Sequence, residues 1–307
     1  MDRTSVAWEG YFIAMVTPFT RAGDLDERAF QAVVELAIEN KVDGVVAAGC
    51  TGEWWTLSDA ERGRVFQLAV QQARGRVPVI AGTAAIATSR AISLTRMAKD
   101  AGCSGALLTA PPYALPRERE IVHYFQSLSD AVKLPVMLYN NPNRVRRVLT
   151  PELVSRLADI DTVVAIKDSS GDLEMQERTL DACTDRIRYF MGGTTGAERL
   201  VKKGCLGFVD SWVAQLLGSE GSDFYRALKA GDTARARDLV PDAKAKAVHG
   251  MLWDEAGMFP ASLKEAMNLL GRPGGYPREP LLPLADDERD VLRARLQQLN
   301  IRQPAAA

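Results

Sequence analysis

The chain has 307 residues, 47% hydrophobic and 25% charged, an ordinary globular composition with room for one large domain or two smaller ones. Thirty-eight basic against thirty-nine acidic residues leave a net charge of −1, which argues against nucleic acid or an anionic membrane as a partner. The two histidines, His123 and His249, stand far apart, which argues against a His-built zinc site or a Ser-His-Asp triad; no metal is expected.

Short apolar, β-branched runs predict strands at residues 12–18, 44–48, 77–81, 105–109, 135–139, 162–167, 187–191 and 207–211. Between them lie amphipathic stretches at 27–40, 59–73 and 89–101; in the first, Phe30, Val33, Val34, Ala37 and Ile38 recur at helical spacing. Ser58 before Asp59-Ala60-Glu61 reads as a capping box, and Thr150-Pro151-Glu152 as a capped helix start. Apolar strands alternating with helices, without a Gly/Ser linker, imply parallel strands covered by helices. Eight βα units in about 220 residues favour an α/β fold of the (β/α)8 TIM-barrel type. A doubly wound sheet is the alternative, but no G-x-G-x-x-G follows the first strand. Residues 1–222 are expected to form the barrel catalytic domain and 223–307 a C-terminal helical extension. Helices are predicted there at 223–230, 233–249, 261–270 and 286–299, with a Pro/Gly-rich loop at 271–283 and a low-complexity Pro-Ala-Ala-Ala end.

The cysteines, Cys50, Cys103, Cys183 and Cys205, form no C-x-x-C pair, which reads as reduced thiols and a cytoplasmic location. The N-terminus lacks a basic-then-apolar signal pattern, and no apolar stretch approaches the roughly 18 residues of a membrane span.

Barrel enzymes build their sites where strands end, so the residues after each strand are the candidates. Lys167 closes the apolar run Val163-Val164-Ala165-Ile166, which places an ammonium at the barrel mouth. Desolvation there favours the neutral amine, which can attack a ketone and form a Schiff base. The structural alternative is a strand-end lysine paired with Asp168. Tyr139, one strand away, is either a proton carrier or a packing residue. Arg144 offers a fixed fork for a carboxylate or is an ordinary loop arginine. Thr51, in Gly49-Cys50-Thr51-Gly52-Glu53, offers a hydroxyl and N–H groups to an anion, although the glycines also suit a tight turn needing positive φ. Gly192–Gly196, before a helix, raises a phosphate-binding barrel enzyme as a rival. Both histidines are assigned to surface or core packing.

Together these elements resemble the dihydrodipicolinate synthase/N-acetylneuraminate lyase family of class I aldolases. The match runs through Ala14-Met15-Val16-Thr17-Pro18-Phe19, Gly49–Glu53, Pro78-Val79-Ile80-Ala81-Gly82-Thr83, Tyr139–Arg144, Val164–Gly171 and Pro280-Leu281-Leu282-Pro283-Leu284. The resemblance implies that Lys167 forms an imine with pyruvate or a related 2-oxo acid, needing no cofactor, and that Tyr139 shuttles protons. It implies that Thr51 and its loop, Cys50 included, hold the 2-oxo acid carboxylate, with backbone contacts from Gly193 and Val209. Arg144 stands where the synthases bind the second substrate's carboxylate. Tyr113 matches a tyrosine passed into the neighbouring subunit's site, which implies a homodimer or homotetramer.

Several positions depart from the family pattern. Cys50 replaces a hydroxyl residue that links two tyrosines in a proton relay, and a thiol is a poor donor. Trp54 and Trp55 replace small residues. Thr194 and Thr195 replace the acidic residues of sialic-acid lyases, which opposes that activity. Asp210 and Trp212 also differ. The expected reaction is therefore carbon–carbon bond making or breaking between a 2-oxo acid and an aldehyde. The alternatives are dehydration or deamination of a 2-oxo acid through the same imine, or a non-catalytic 2-oxo acid sensor.

Overall fold

The computed structural model describes residues 1–301, so the terminal Pro-Ala-Ala-Ala lies outside the described residues. Strand and helix alternate from the start: β1 (Gly10–Ala14), α1 (Glu27–Glu39), β2 (Gly44–Ala47), α2 (Asp59–Ala73), β3 (Val79–Gly82) and α3 (Thr88–Asp100). The pattern continues through β4 (Gly105–Thr109), α4 (Glu118–Ala131), β5 (Val136–Asn140), α5 (Pro142–Val145), α6 (Pro151–Leu157) and β6 (Val163–Asp168). Then come α7 (Leu173–Cys183), β7 (Arg188–Met191), α8 (Ala197–Lys202), β8 (Gly207–Asp210), α9 (Val213–Leu216) and α10 (Glu220–Lys229). Four further α-helices follow among the described residues, α11 (Thr233–Leu239), α12 (Asp242–Gly250), α13 (Ala261–Leu269) and α14 (Asp286–Gln298), with a π-helical turn at Met251–Glu255 after α12.

All eight strands are parallel and close in sequence order, β8 returning to β1 with Gly10 opposite Gly207. This is the (β/α)8 barrel with C-terminal helices. Its interior is filled rather than open: Phe12, Val46, Ile80, Met137, Phe190 and Val209 are fully buried in one cluster. Burying each such side chain stabilises the fold by about 1.5–3 kcal/mol. Trp8 closes the N-terminal end against Gly105, where a Cβ would meet the indole at 2.3 Å.

The capping box at Ser58 is formed, Ser58 N–H donating to Glu61 at 2.8 Å and Glu61 N–H to Ser58 Oγ at 3.2 Å. Thr150 likewise accepts from Leu153 N–H at 3.3 Å. The first strand differs from the predicted 12–18. It begins at Gly10 and ends at Ala14, because Val16 N–H turns to the Gln215 side chain at 3.1 Å and Pro18 has no N–H to give. The predicted 233–249 helix is two helices. Pro241 forces Val240 out of the helical region, to φ −130° and ψ 76°, and the chain restarts at Asp242. Helix α10 runs across residue 223 and belongs to the barrel's outer ring: Gly221 packs on Tyr11, and Phe224 and Tyr225 pack on Phe208. Among the described residues no helix is long and apolar enough to cross a membrane.

Candidate active site

Side chains alternate along a strand, so β6 directs Ala165 and Lys167 to one face and Ile166 and Asp168 to the other. Lys167 lies opposite Tyr139 of β5 in the barrel register. Both are nearly buried, at 5% and 7% exposure, and Lys167 Nζ sits 4.4 Å from the centre of the Tyr139 ring. Asp168, the carboxylate that a purely structural lysine would use, is engaged elsewhere. It accepts from Ser170 N–H at 2.8 Å and from the Asn140 amide at 3.4 Å.

After β2, the glycines of Gly49-Cys50-Thr51-Gly52-Glu53 do not carry the positive φ. Ala48 (φ 50°) and Glu53 (φ 53°) do, and both are residues that adopt it at a cost. Gly52 is needed for close approach: a Cβ there would lie 2.9 Å from Thr17 Oγ1 and 3.1 Å from the Ala48 backbone. Thr17 Oγ1 donates to the Gly52 carbonyl at 2.9 Å and holds the loop from below. Thr51 is buried here, and Cys50 packs against the interior cluster that contains Tyr139 and Val209. Burial pushes the Cys50 thiol up, against the opposing pull of Lys167, Arg144 and a hydrogen bond with the Trp54 side chain. Trp54 in turn lies 5.4 Å from the guanidinium of Arg62, itself buried against the carbonyls of Gly82 and Ala84. Burial brings the Arg62 pKa down to about 10.

The loop is also held from behind. Glu53 and Lys264 of α13 form an ion pair with both side chains at 0% exposure. Arg278 N–H adds a hydrogen bond to Glu53 Oε2 at 3.1 Å, and Lys264 donates to the Tyr276 carbonyl at 2.8 Å. Lys264 Nζ and the Arg278 guanidinium both lie against the Phe19 ring, at 4.5 and 4.0 Å. Burial lowers the Lys264 pKa to about 8, with Glu53 opposing that shift. This cluster was not singled out by sequence. Its signal was present: Lys264 falls three residues from Ala261 and from Met267, on the buried face of α13.

On the β4–β5 side, Tyr113 is 90% exposed with φ 67°. Arg144 projects from α5 as an exposed residue. Asn141, also missed by sequence, donates from Nδ2 to the Tyr139 hydroxyl at 2.8 Å. Gly193 is half-buried, and a Cβ there would meet nothing within 4 Å. Asp210 has structural partners: it accepts from the Tyr11 hydroxyl at 2.6 Å and from Val213 N–H at 2.8 Å. The histidines do as well, His249 stacking on Trp253 at 4.4 Å. The structure thus gathers Lys167, Tyr139, Cys50 and Val209 inside the mouth with Thr51 beside Cys50, while Tyr113 stands apart on the rim. A surface cavity of about 870 Å3 lies elsewhere, lined by Arg21, Tyr276, Leu282 and Arg289 behind the Glu53–Lys264 pair.

The sequence profile of the dihydrodipicolinate synthetase family matches residues 7–299. An uncharacterized DapA-like lyase of Rhizobium meliloti is 37% identical over 297 residues, 96% of this chain and 97% of that one. The 4-hydroxy-tetrahydrodipicolinate synthase of Rhodospirillum centenum is 37% identical over 291 residues, 94% of this chain and 97% of that one. The crystal structure of the chloride-inhibited dihydrodipicolinate synthase from Acinetobacter baumannii complexed with pyruvate superposes with a TM-score of 0.88 at 33% identity, covering 95% of this chain and 99% of that one. With a filled parallel barrel, a buried strand-end lysine beside a tyrosine and a match across nearly its whole length, this chain belongs to the dihydrodipicolinate synthetase family and is a lyase of that family.

Proposed function

We propose that the chain is a class I lyase that joins Lys167 to pyruvate or a related 2-oxo acid as a Schiff base and then makes or breaks a carbon–carbon bond with an aldehyde. The observation that carries this reading is the buried pair at the mouth, Lys167 Nζ over the Tyr139 ring at 4.4 Å. The Lys167 amine attacks C2 of the 2-oxo acid, and the carbinolamine hydroxyl leaves as water with the proton of the Tyr139 phenol. The resulting iminium draws electrons from C3, and the C3 proton passes to the Tyr139 phenolate, restoring the phenol and leaving an enamine that attacks the aldehyde carbon. The imine nitrogen is the electron sink, so the reaction calls for no metal or cofactor.

Thr51, with the N–H groups of its loop and Cys50 beside it, is the proposed seat of the 2-oxo acid carboxylate. The Gly193 and Val209 backbones flank the imine, and Arg144 takes the carboxylate of the second substrate. Tyr113 serves a neighbouring copy of the chain. Exposed apolar side chains on four successive mouth loops, Trp55, Ile86, Tyr113 with Leu115, and Val148, support a homodimer or homotetramer built on this face. Four free thiols suit a cytoplasmic enzyme. Dehydration or deamination through the same imine is the second reading. It is favoured by Cys50, which sets a thiol, a weak hydrogen-bond donor, against the cluster that contains Tyr139 where the resemblance places a hydroxyl.

Borohydride reduction with pyruvate, followed by mass spectrometry of the Lys167 peptide, tests the intermediate. A pyruvyl adduct on Lys167, absent in Lys167→Ala, is expected. No adduct with any 2-oxo acid, together with competition by inorganic phosphate, would replace this reading with the phosphate-binding one. An adduct without turnover of any 2-oxo acid would indicate a sensor. A screen of 2-oxo acids for aldol cleavage, water loss and ammonia loss then separates the two lyase readings.

A further inference from the structure

We infer that Asn141 is a positioning residue for proton transfer: its amide N–H fixes the Tyr139 hydroxyl and leaves the phenolic proton free for the atoms that Lys167 carries. The inference rests on the Schiff-base reading above. Asn141 Nδ2 donates to the Tyr139 oxygen at 2.8 Å, and both residues are buried, Asn141 at 9% exposure. A phenol has one proton to donate. With its oxygen accepting from Asn141, that proton is left for a partner other than Asn141, and Lys167 Nζ lies 4.4 Å from the centre of the same ring.

The residue's position argues that this bond is not incidental. Asn141 is the N-cap of α5, and asparagine is among the strongest capping residues because its side chain accepts from the first free N–H groups. Here it makes no capping bond; its φ of −139° turns it away from the helix, and the side chain goes to Tyr139. The preceding residue fixes the placement. Asn140 points to the opposite face, donates to the Leu149 carbonyl at 3.2 Å and accepts from Leu149 N–H at 3.0 Å, pinning both ends of the segment between them. Cys50 packs against the cluster that contains Tyr139, but its thiol is a weak donor beside the Asn141 amide.

The test needs no knowledge of the second substrate. Exchange of the pyruvate methyl protons with deuterated water, followed by NMR, requires imine formation and proton abstraction together, whereas borohydride trapping reports the imine alone. In Asn141→Leu, exchange is expected to fall about tenfold, or ~1.4 kcal/mol, with adduct yield and half-saturation by pyruvate unchanged. Asn141→Gln, which keeps a donor, should recover part of the loss, and Asn141→Asp, the same shape without the N–H, should not. In a Tyr139→Phe background, adding Asn141→Leu should cost nothing more. Unchanged exchange in Asn141→Leu, a matching fall in adduct yield, or an equal further loss without the phenol would each overturn the assignment. Failure of the wild-type chain to form an adduct would instead remove the Schiff base, a distinguishable result.

Discussion

On the β2 side of the barrel mouth the 49–53 loop is tied down from below and behind; on the β4 side the segment carrying Tyr113 stands in solvent. Both sides carry non-glycine residues in the left-handed region: Ala48 and Glu53 on one, Tyr113 (φ 67°) and Leu115 (φ 48°) on the other. Such conformations cost of order 1–3 kcal/mol each and persist where surrounding contacts determine them. At Glu53 those contacts lie inside the chain, in Lys264 and the Arg278 N–H. At Tyr113 the side chain is 90% exposed, and the compensation we propose is a second copy of the chain. The difference suits the proposed division of work. In that proposal the carboxylate common to all 2-oxo acids has a fixed seat on the 49–53 loop, and the rim toward the second substrate is completed by a second copy.

The largest expected effect comes from breaking the tied side. Lys264→Met leaves the Glu53 carboxylate buried without its cation, and unfolding free energy should fall by about 3–5 kcal/mol. Glu53→Gln with Lys264→Met should recover most of that loss in denaturant titrations; failure to recover would show that the lysine acts through packing on Phe19. The pH dependence has a definite sign. With its pKa lowered to about 8 from 10.5, Lys264 sheds its proton in the folded state while the unfolded chain keeps it. Wild-type stability should therefore rise with pH between about 8 and 10.5, and Lys264→Met should lack that rise.

The same contrast marks what the sequence reveals. The eight strands and the strand-end places of Lys167 and Tyr139 follow from local alternation, and closure into a barrel makes those strand ends neighbours. The capping box at Ser58 was legible because its partners lie three residues apart. The Glu53 seat was not, because its hydrogen bond with Arg278 spans 225 positions and no periodicity relates the two ends. Pro241 was a readable stop, yet the apolar spacing on either side of it hid the break between α11 and α12. Asn141 reads locally as a helix cap, and only the three-dimensional course of β5 shows its amide turned to Tyr139. The helical extension, assigned no role by sequence, supplies the cation that holds the 49–53 loop.

A smaller effect on stability, with a clear effect on activity, is expected on the open side. Tyr113→Ala removes an exposed side chain, so unfolding free energy should change by no more than about 0.5 kcal/mol. Turnover should nevertheless fall at least tenfold, ~1.4 kcal/mol or more in the barrier, if the phenol completes a neighbour's site. Adding inactive Lys167→Ala protomers, whose Tyr113 is intact, to Tyr113→Ala protomers should restore part of the activity as mixed assemblies form. Wild-type turnover in Tyr113→Ala would remove that residue from the reaction and leave the mouth complete within one chain.

The smallest effect sharpens the tied side without cutting it. Arg278 reaches past Glu53 to Glu61, with guanidinium-to-carboxylate distances of 2.7 and 3.1 Å, and this holds the Glu61 carboxyl down at about 2 from 4.5. A carboxylate depressed in the folded state contributes stability that is complete above its unfolded pKa and is lost as pH falls toward the folded one. The window is therefore about pH 4.5 down to about 2. Because the pair is partly exposed, at 18% and 29%, the contribution should be about 1 kcal/mol rather than the full conversion of the shift. Glu61→Gln keeps the size of the side chain and, through its carbonyl, an acceptor for Arg278, but removes the titrating charge. Its stability should match wild type at the acid end of the window and fall short by that amount above pH 5. Arg278 would then be less firmly placed behind Glu53, so half-saturation by pyruvate, read from borohydride trapping at pH 7, should rise by less than tenfold with the limiting adduct yield unchanged. An unchanged half-saturation alongside the stability loss would mean that the Lys264 pair alone determines the loop, and that Arg278 braces the extension without reaching the site.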